Sequence, residues 1–276
     1  MRFAISYSTP QFVADPGRLI DYARHAEECG FEALYLPEHI ATQPGARLGA
    51  MEFPADLPIA DPLDCLAFVA AATTRLLLGT AVLLAPYHHP VILAKRLATI
   101  DVLSGGRMRL LTVGVGALPH EAMAAGVDFR TRGRRADEVI DVLRLLWTGG
   151  PVSYHGEFYD FTDLCSYPRP LADLPIHIGG SSLAAARRAA ARGDGWFPGG
   201  MLAPGERARQ LEVARSSGRA LDYTRWGSID LLPEQVSRYA EQGVTRLVVS
   251  PTAGDPSAQR AQMTAFATRH ALTHRH

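Results

Sequence analysis

Eight short apolar runs alternate with eight segments of helical periodicity along this chain, and that alternation leaves few folds open. The strand-like runs are Phe3–Tyr7, Ala33–Pro37, Leu76–Leu84, Met108–Val115, Pro175–Gly179, Gly195–Pro198, Trp226–Leu231 and Arg246–Ser250. Apolar residues at helical spacing mark Gly17–Cys29, Pro62–Thr73, Val91–Leu103, Arg134–Trp147, Leu183–Arg192, Pro204–Ser216, Pro233–Gln242 and Ser257–His270. Eight strands, each followed by a helix, within 276 residues predict an α/β fold, a (β/α)8 TIM barrel. One such domain spans residues 1–276. The alternative is a doubly wound open sheet, but no GxGxxG follows the first strand.

Two stretches exceed the bare barrel. Thr42–Ile59 is rich in Pro, Gly and Ala, and Gly149–Arg169 alternates like a hairpin around His155-Gly156. We read both as short insertions at the C-terminal face or rim, where loops can cover a site.

Composition excludes several partners. Basic and acidic residues number 28 each, so no net charge draws the chain to nucleic acid or an anionic membrane. No apolar run reaches the length of a membrane span. The opening run Arg2–Tyr7 reads as a strand rather than a signal peptide. Cys29, Cys65 and Cys165 are odd in number and widely spaced, which suits a reducing compartment and neither a disulfide framework nor a metal site. The expectation is a cytoplasmic protein acting on a small molecule.

A barrel of this kind places chemistry at the C-terminal ends of its strands. Those ends read Tyr7-Ser8-Thr9, Pro37-Glu38-His39, Thr80-Ala81-Val82, Gly114-Val115-Gly116 and Ile178-Gly179-Gly180-Ser181-Ser182. Strands that end in small residues leave room for a flat group against backbone. Gly180-Ser181-Ser182 precedes a helix, so its amides suit an anion such as a phosphate; an ordinary turn with a Ser cap is the plainer reading. His88 and His89 read as loop and helix start, with Pro90 near the first helical position. Arg130, Arg132, Arg134 and Arg135 read as a solvated helix start.

Four ordered blocks carry a resemblance: Ala26–His39, Gly79–Gly116, Ala124–Trp147 and Pro175–Gly200. In these the chain resembles the bacterial luciferase-like monooxygenase family, and within it the subgroup that depends on coenzyme F420, a deazaflavin. The resemblance implies a flavin-type ring in the barrel mouth and oxidoreductase chemistry. It implies a non-prolyl cis peptide at Ala81–Val82, on a bulge that backs the ring. It also implies a cofactor site drawn from Glu38, His39, Thr80, Ala81, Val82, Gly114, Val115, Gly116, His120, Ile178, Gly179, Gly180, Ser181 and Ser182. His39 matches a histidine at the ring edge and is the expected catalytic residue; a strand-end histidine held by Glu38 or backbone is the structural alternative. His120 and Glu121 follow the fourth strand as further candidates.

FMN enzymes of the family tend to place an arginine at the end of strand 4. Here Gly114 and Val115 stand there, and no arginine follows until Arg130. That favours coenzyme F420 over FMN. F420-dependent sugar-phosphate dehydrogenases carry a glutamate where this chain has Ala117, which argues against glucose 6-phosphate. The expected function is hydride transfer between F420 and a small organic substrate. The alternatives are an FMN-dependent monooxygenase and a catalytically silent cofactor-binding barrel. The resemblance further implies a homodimer. Val139–Trp147 is apolar enough to form its interface, although core packing accounts for the same residues.

Overall fold

The computed structural model describes residues 1–7, 14–48, 51–52, 54–200 and 202–272. Ser8 and Thr9, expected at the barrel rim, lie outside them. In chain order the main elements are β1 (Arg2–Ser6), α1 (Pro16–Glu28), β2 (Ala33–Leu36), α2 (Pro62–Ala72), β3 (Leu77–Leu84) and α3 (Pro90–Leu103). Then come β4 (Met108–Gly114), α4 (Pro119–Ala124), α5 (Arg132–Trp147), β5 (Ile176–Gly179), α6 (Leu183–Arg192) and β6 (Gly195–Phe197). The chain ends with α7 (Pro204–Arg215), β7 (Asp222–Ser228), α8 (Pro233–Glu241), β8 (Arg246–Ser250) and α9 (Pro256–Arg269). The strands close in the order β1-β8-β7-β6-β5-β4-β3-β2, all parallel, with Arg2 opposite Arg246 and Ile5 opposite Leu34 at the seam. This is the (β/α)8 barrel expected from the periodicity.

The helix starts are written locally. Asp-Pro opens α1, α2 and α9: the Asp15, Asp61 and Asp255 side chains accept backbone N–H groups of the first turn, and the proline fills the position whose own N–H has no helical partner. Two apolar layers follow from strand alternation. Ala4, Ala33, Tyr35, Leu110, Phe197 and Val248 fill the barrel interior, while Ile5, Leu34, Leu78, Leu111, Ile176 and Val249 pack outward beneath the helices.

Charged groups close the N-terminal end of the barrel. Arg246, 1% exposed, pairs with Glu32 at 2.7 Å and Asp222 at 3.3 Å, and Asp222 also pairs with Arg2 at 2.6 Å. Burial pushes the Asp222 carboxyl up, but the Arg2 hydrogen bond and the charges of Arg2 and Arg246 outweigh it and hold the carboxyl below its usual value. His177 lies in the same layer, its ring against Gly195, where a Cβ would approach within 2.7 Å. Burial, then the Arg246 charge, pushes this imidazole down to about 4.

The structure moves three sequence expectations. Strand β7 begins at Asp222, four residues before the apolar run at Trp226, because its first half is held by polar partners and by stacking of Tyr223 on Trp196 at 5.4 Å. Ile229 and Leu231 are buried beyond the strand, in the turn to α8. The hairpin pairs Val152–His155 with Asp160–Leu164, within the connection from α5 to β5. Its turn docks on the first half of α5, where the Glu138 carboxylate accepts the amides of Glu157, Phe158 and Tyr159. Finally, Val139, Ile140, Val142, Leu143 and Leu146 are all buried in the core, which accounts for the apolar run in α5.

Candidate active site at the barrel mouth

The central feature of the mouth is the end of β3. Its register against β4 shifts between Ala81 and Leu83, and the Ala81–Val82 peptide is cis, as the resemblance implies. Ala81 and Val82 are half-buried in a strand whose next residues, Leu83 and Leu84, are buried. Thr80 does not face the mouth; its hydroxyl donates to the Thr112 carbonyl at 2.8 Å and accepts the Thr112 amide, tying β3 to β4 below the bulge.

The small residues on the neighbouring strands have a role that sequence alone assigned elsewhere. A Cβ on Gly114 would lie 2.5 Å from Val82 Cγ2, and one on Gly179 would strike Val82 Cγ1. These two glycines therefore seat the Val82 side chain and present no open backbone of their own. Gly116 has φ +78° and the Tyr87 ring pressed against it. Val115 is half-buried beside it. Open space lies at Gly199 instead, where a Cβ would meet nothing within 4 Å. The dipeptide Gly199-Gly200 after β6 was the signal for this, and it closes the last of the four family-like blocks.

Ile178 is buried in the outer core layer, facing away from the mouth. The loop that follows it is ordered by its own hydrogen bonds. The Gly180 amide donates to the Phe197 carbonyl at 3.3 Å, and the Gly180 carbonyl accepts Trp196 Nε1 at 3.2 Å. The Ser181 hydroxyl donates to the Gly199 carbonyl, and Ser182 caps α6 by accepting the Ala185 amide at 3.1 Å. That assigns the Gly180 and Ala185 amides to protein partners. The Leu183 and Ala184 amides, in the first turn of α6, have no acceptor within the helix, and such groups favour an anion.

Glu38 and His39 leave β2 toward different partners. Glu38, buried, accepts the Leu84 amide and bonds His88 Nε2 at 2.8 Å, so its carboxylate braces the far side of the bulge. His39 is not held by Glu38. Its Nδ1 lies 3.1 Å from Glu121 Oε1, which also accepts the Ile40 amide at 2.9 Å. Glu121 is fully buried on α4, a short helix absent from the sequence-based elements. His120 precedes it, with a buried Nε2 that has no hydrogen-bond partner among the described residues. Tyr87 lies near this pair; burial, then the Glu121 charge, pushes its hydroxyl pKa up. His89 is exposed, its ring edge-on to Tyr159 at 5.7 Å.

The basic run divides by environment. Arg130 pairs with Asp128, and Arg134 with Glu157; Arg135 lies over the Phe158 ring at 4.3 Å. Arg132 alone turns to the rim, where it donates to the Gly116 and Phe129 carbonyls and stacks on the Phe129 ring at 3.6 Å. Among the described residues, no cluster of His, Cys, Asp and Glu could hold a metal ion, and no helix is long and apolar enough to cross a membrane.

The mouth of this barrel carries a bulged strand end, a strand-end histidine and the N-terminus of α6. The chain belongs to the luciferase-like monooxygenase family, whose model matches residues 1–246. An uncharacterized protein of Mycobacterium tuberculosis is 32% identical over 264 residues, covering 90% of this chain and 88% of that one. The F420-dependent glucose-6-phosphate dehydrogenase of Microbacterium testaceum is 34% identical over 201 residues, 71% of this chain and 56% of that enzyme. Among solved structures, an F420-dependent secondary alcohol dehydrogenase in complex with an F420–acetone adduct superposes with a TM-score of 0.80, at 17% identity and 99% coverage of both chains. A monooxygenase from Streptomyces bottropensis gives 0.77, at 20% identity and 98% coverage of both. At these identities the two structures establish the fold.

Proposed function

We propose that this protein is an oxidoreductase that uses coenzyme F420 to move a hydride to or from a small organic substrate. Family membership and the F420-dependent relatives support this reading. The observation that carries it is the end of β4. Gly114-Val115-Gly116 offers no cationic side chain there, and the rim arginine, Arg132, is committed to two carbonyls and a ring. A phosphate at this mouth is left to the backbone amides of α6.

Bound F420 would supply hydride chemistry at the C5 position of its deazaflavin ring. The half-buried Ala81–Val82 bulge would give the ring a flat support, kept in shape by Val82 seated against Gly114 and Gly179 and by Glu38 bracing Leu84. The Leu183 and Ala184 amides would hold the phosphate. His39 would hydrogen-bond to, or exchange a proton with, the reacting atoms at the ring edge, since an imidazole changes charge near neutral pH.

A structure of the complex with F420 tests this arrangement. The reading requires the phosphate within hydrogen-bond reach of the first-turn amides of α6 and the ring against Ala81–Val82. A phosphate more than about 4 Å from those amides contradicts it.

A further inference from the structure

We propose that Glu121 is the residue that positions His39, fixing its imidazole as the Nδ1–H tautomer so that Nε2 is the nitrogen that exchanges protons. The two residues lie 82 positions apart in sequence and meet at one oxygen. The Ile40 amide can only donate, so Glu121 Oε1 is an acceptor there, 2.9 Å from that amide. An oxygen that accepts one N–H and carries no hydrogen of its own can only accept from its second neighbour, so His39 Nδ1, 3.1 Å away, carries the hydrogen. The grip has two points, because Ile40 directly follows His39: one carboxylate oxygen fixes both the ring and the backbone beside it. Glu121 is fully buried, so solvent does not compete for that oxygen.

Other groups at this rim are committed elsewhere. Glu38, the acidic neighbour of His39 in sequence, is occupied by Leu84 and His88. Arg132 is tied to the Gly116 and Phe129 carbonyls. Among the described residues, two further titratable side chains adjoin the pair: Tyr87, which feels the Glu121 charge, and His120, which precedes Glu121 on α4. A carboxylate that orients a histidine from behind sets which ring nitrogen is available for chemistry. Glu121 thus acts through His39 as a positioning residue. This role rests on the reading of His39 as the acid–base group of the F420 site, but its test does not need the cofactor.

The test is the ring ¹⁵N signature of His39 in the full-length protein, recorded well above the ordinary histidine pKa and assigned by its loss in His39→Gln. The wild-type ring is expected to carry its proton on Nδ1. Glu121→Gln, whose amide oxygen still accepts two N–H groups, is expected to keep that pattern; Glu121→Ala is expected to lose it. A wild-type ring protonated on Nε2 overturns the proposal, and so does a Glu121→Ala ring unchanged from wild type. The wild-type spectrum decides the matter even if Glu121→Ala does not fold. Titration of the same samples with F420 separates the two readings: the Nδ1–H pattern without F420 binding upholds the positioning role and rejects the proposed function.

Discussion

Val82 fills the space that a side chain on Gly114 would need: an added Cβ would lie 2.5 Å from Val82 Cγ2. The glycine at the end of β4 is there for its neighbour's side chain on β3. Gly114→Ala should therefore destabilise the barrel by about 1–3 kcal/mol, the usual cost of overpacking. It should also weaken F420 binding, because the displaced valine is half of the surface proposed to back the ring. Val82→Ala added to Gly114→Ala should recover stability. Urea denaturation of the wild type and both variants checks this.

The Glu38 carboxylate predicts a stability effect separate from chemistry. Glu38→Ala leaves the buried Leu84 amide without its acceptor and His88 without its partner. A loss of about 1–3 kcal/mol is expected, with a smaller loss for Glu38→Gln, which can still accept one N–H. The denaturation midpoint should fall with little change in slope.

Acid should destabilise the protein through His177. Its folded value is pushed down to about 4, against about 6.5 in an unfolded chain. Between those values the unfolded chain binds a proton that the folded one refuses, so stability falls as pH drops from about 6.5 toward 4 and changes no further through this group below that. Asp222, held low by its arginines once burial is outweighed, is stabilising above its unfolded value and adds a loss in the same direction as pH falls. His177→Asn, which does not titrate, should flatten the melting-temperature profile across that window.

The anion reading of α6 allows a clean deletion of one amide. Leu183 is the first residue of the helix, where proline is tolerated, and Ser182 before it has φ −132° and ψ 157°, the extended backbone a following proline requires. Leu183→Pro should leave the melting temperature near wild type and weaken F420 binding about tenfold or more, the worth of one hydrogen bond to a charged group. Unchanged affinity would place the phosphate elsewhere.

Periodicity made the barrel legible because each strand buries both faces and each helix one, so apolar spacing records them directly. It failed at β7, where Asp222–Arg225 is held by polar partners and stacking rather than an apolar run. It also missed α4, which is only six residues long. The family-like blocks carried the cis peptide, the α6 loop and His39. Composition at strand ends read Gly114 and Gly179 as space for a ligand, because a sequence does not say which neighbour a missing Cβ makes room for. Glu121 was legible as a candidate from its place after the fourth strand, but its pairing with His39 was hidden for a related reason: the two are far apart in the chain and meet only when β2 and β4 stand in one barrel. The arginine run looked uniform in sequence, and only the surroundings of Arg132 set it apart.

A mouth built for a deazaflavin, with the phosphate held by backbone, should discriminate between coenzyme F420 and FMN. The most direct measurement is titration of the purified protein with coenzyme F420 and, separately, with FMN, followed by tryptophan fluorescence. Saturable micromolar quenching by F420, and little by FMN, is expected. Micromolar binding of FMN with none of F420 would contradict it.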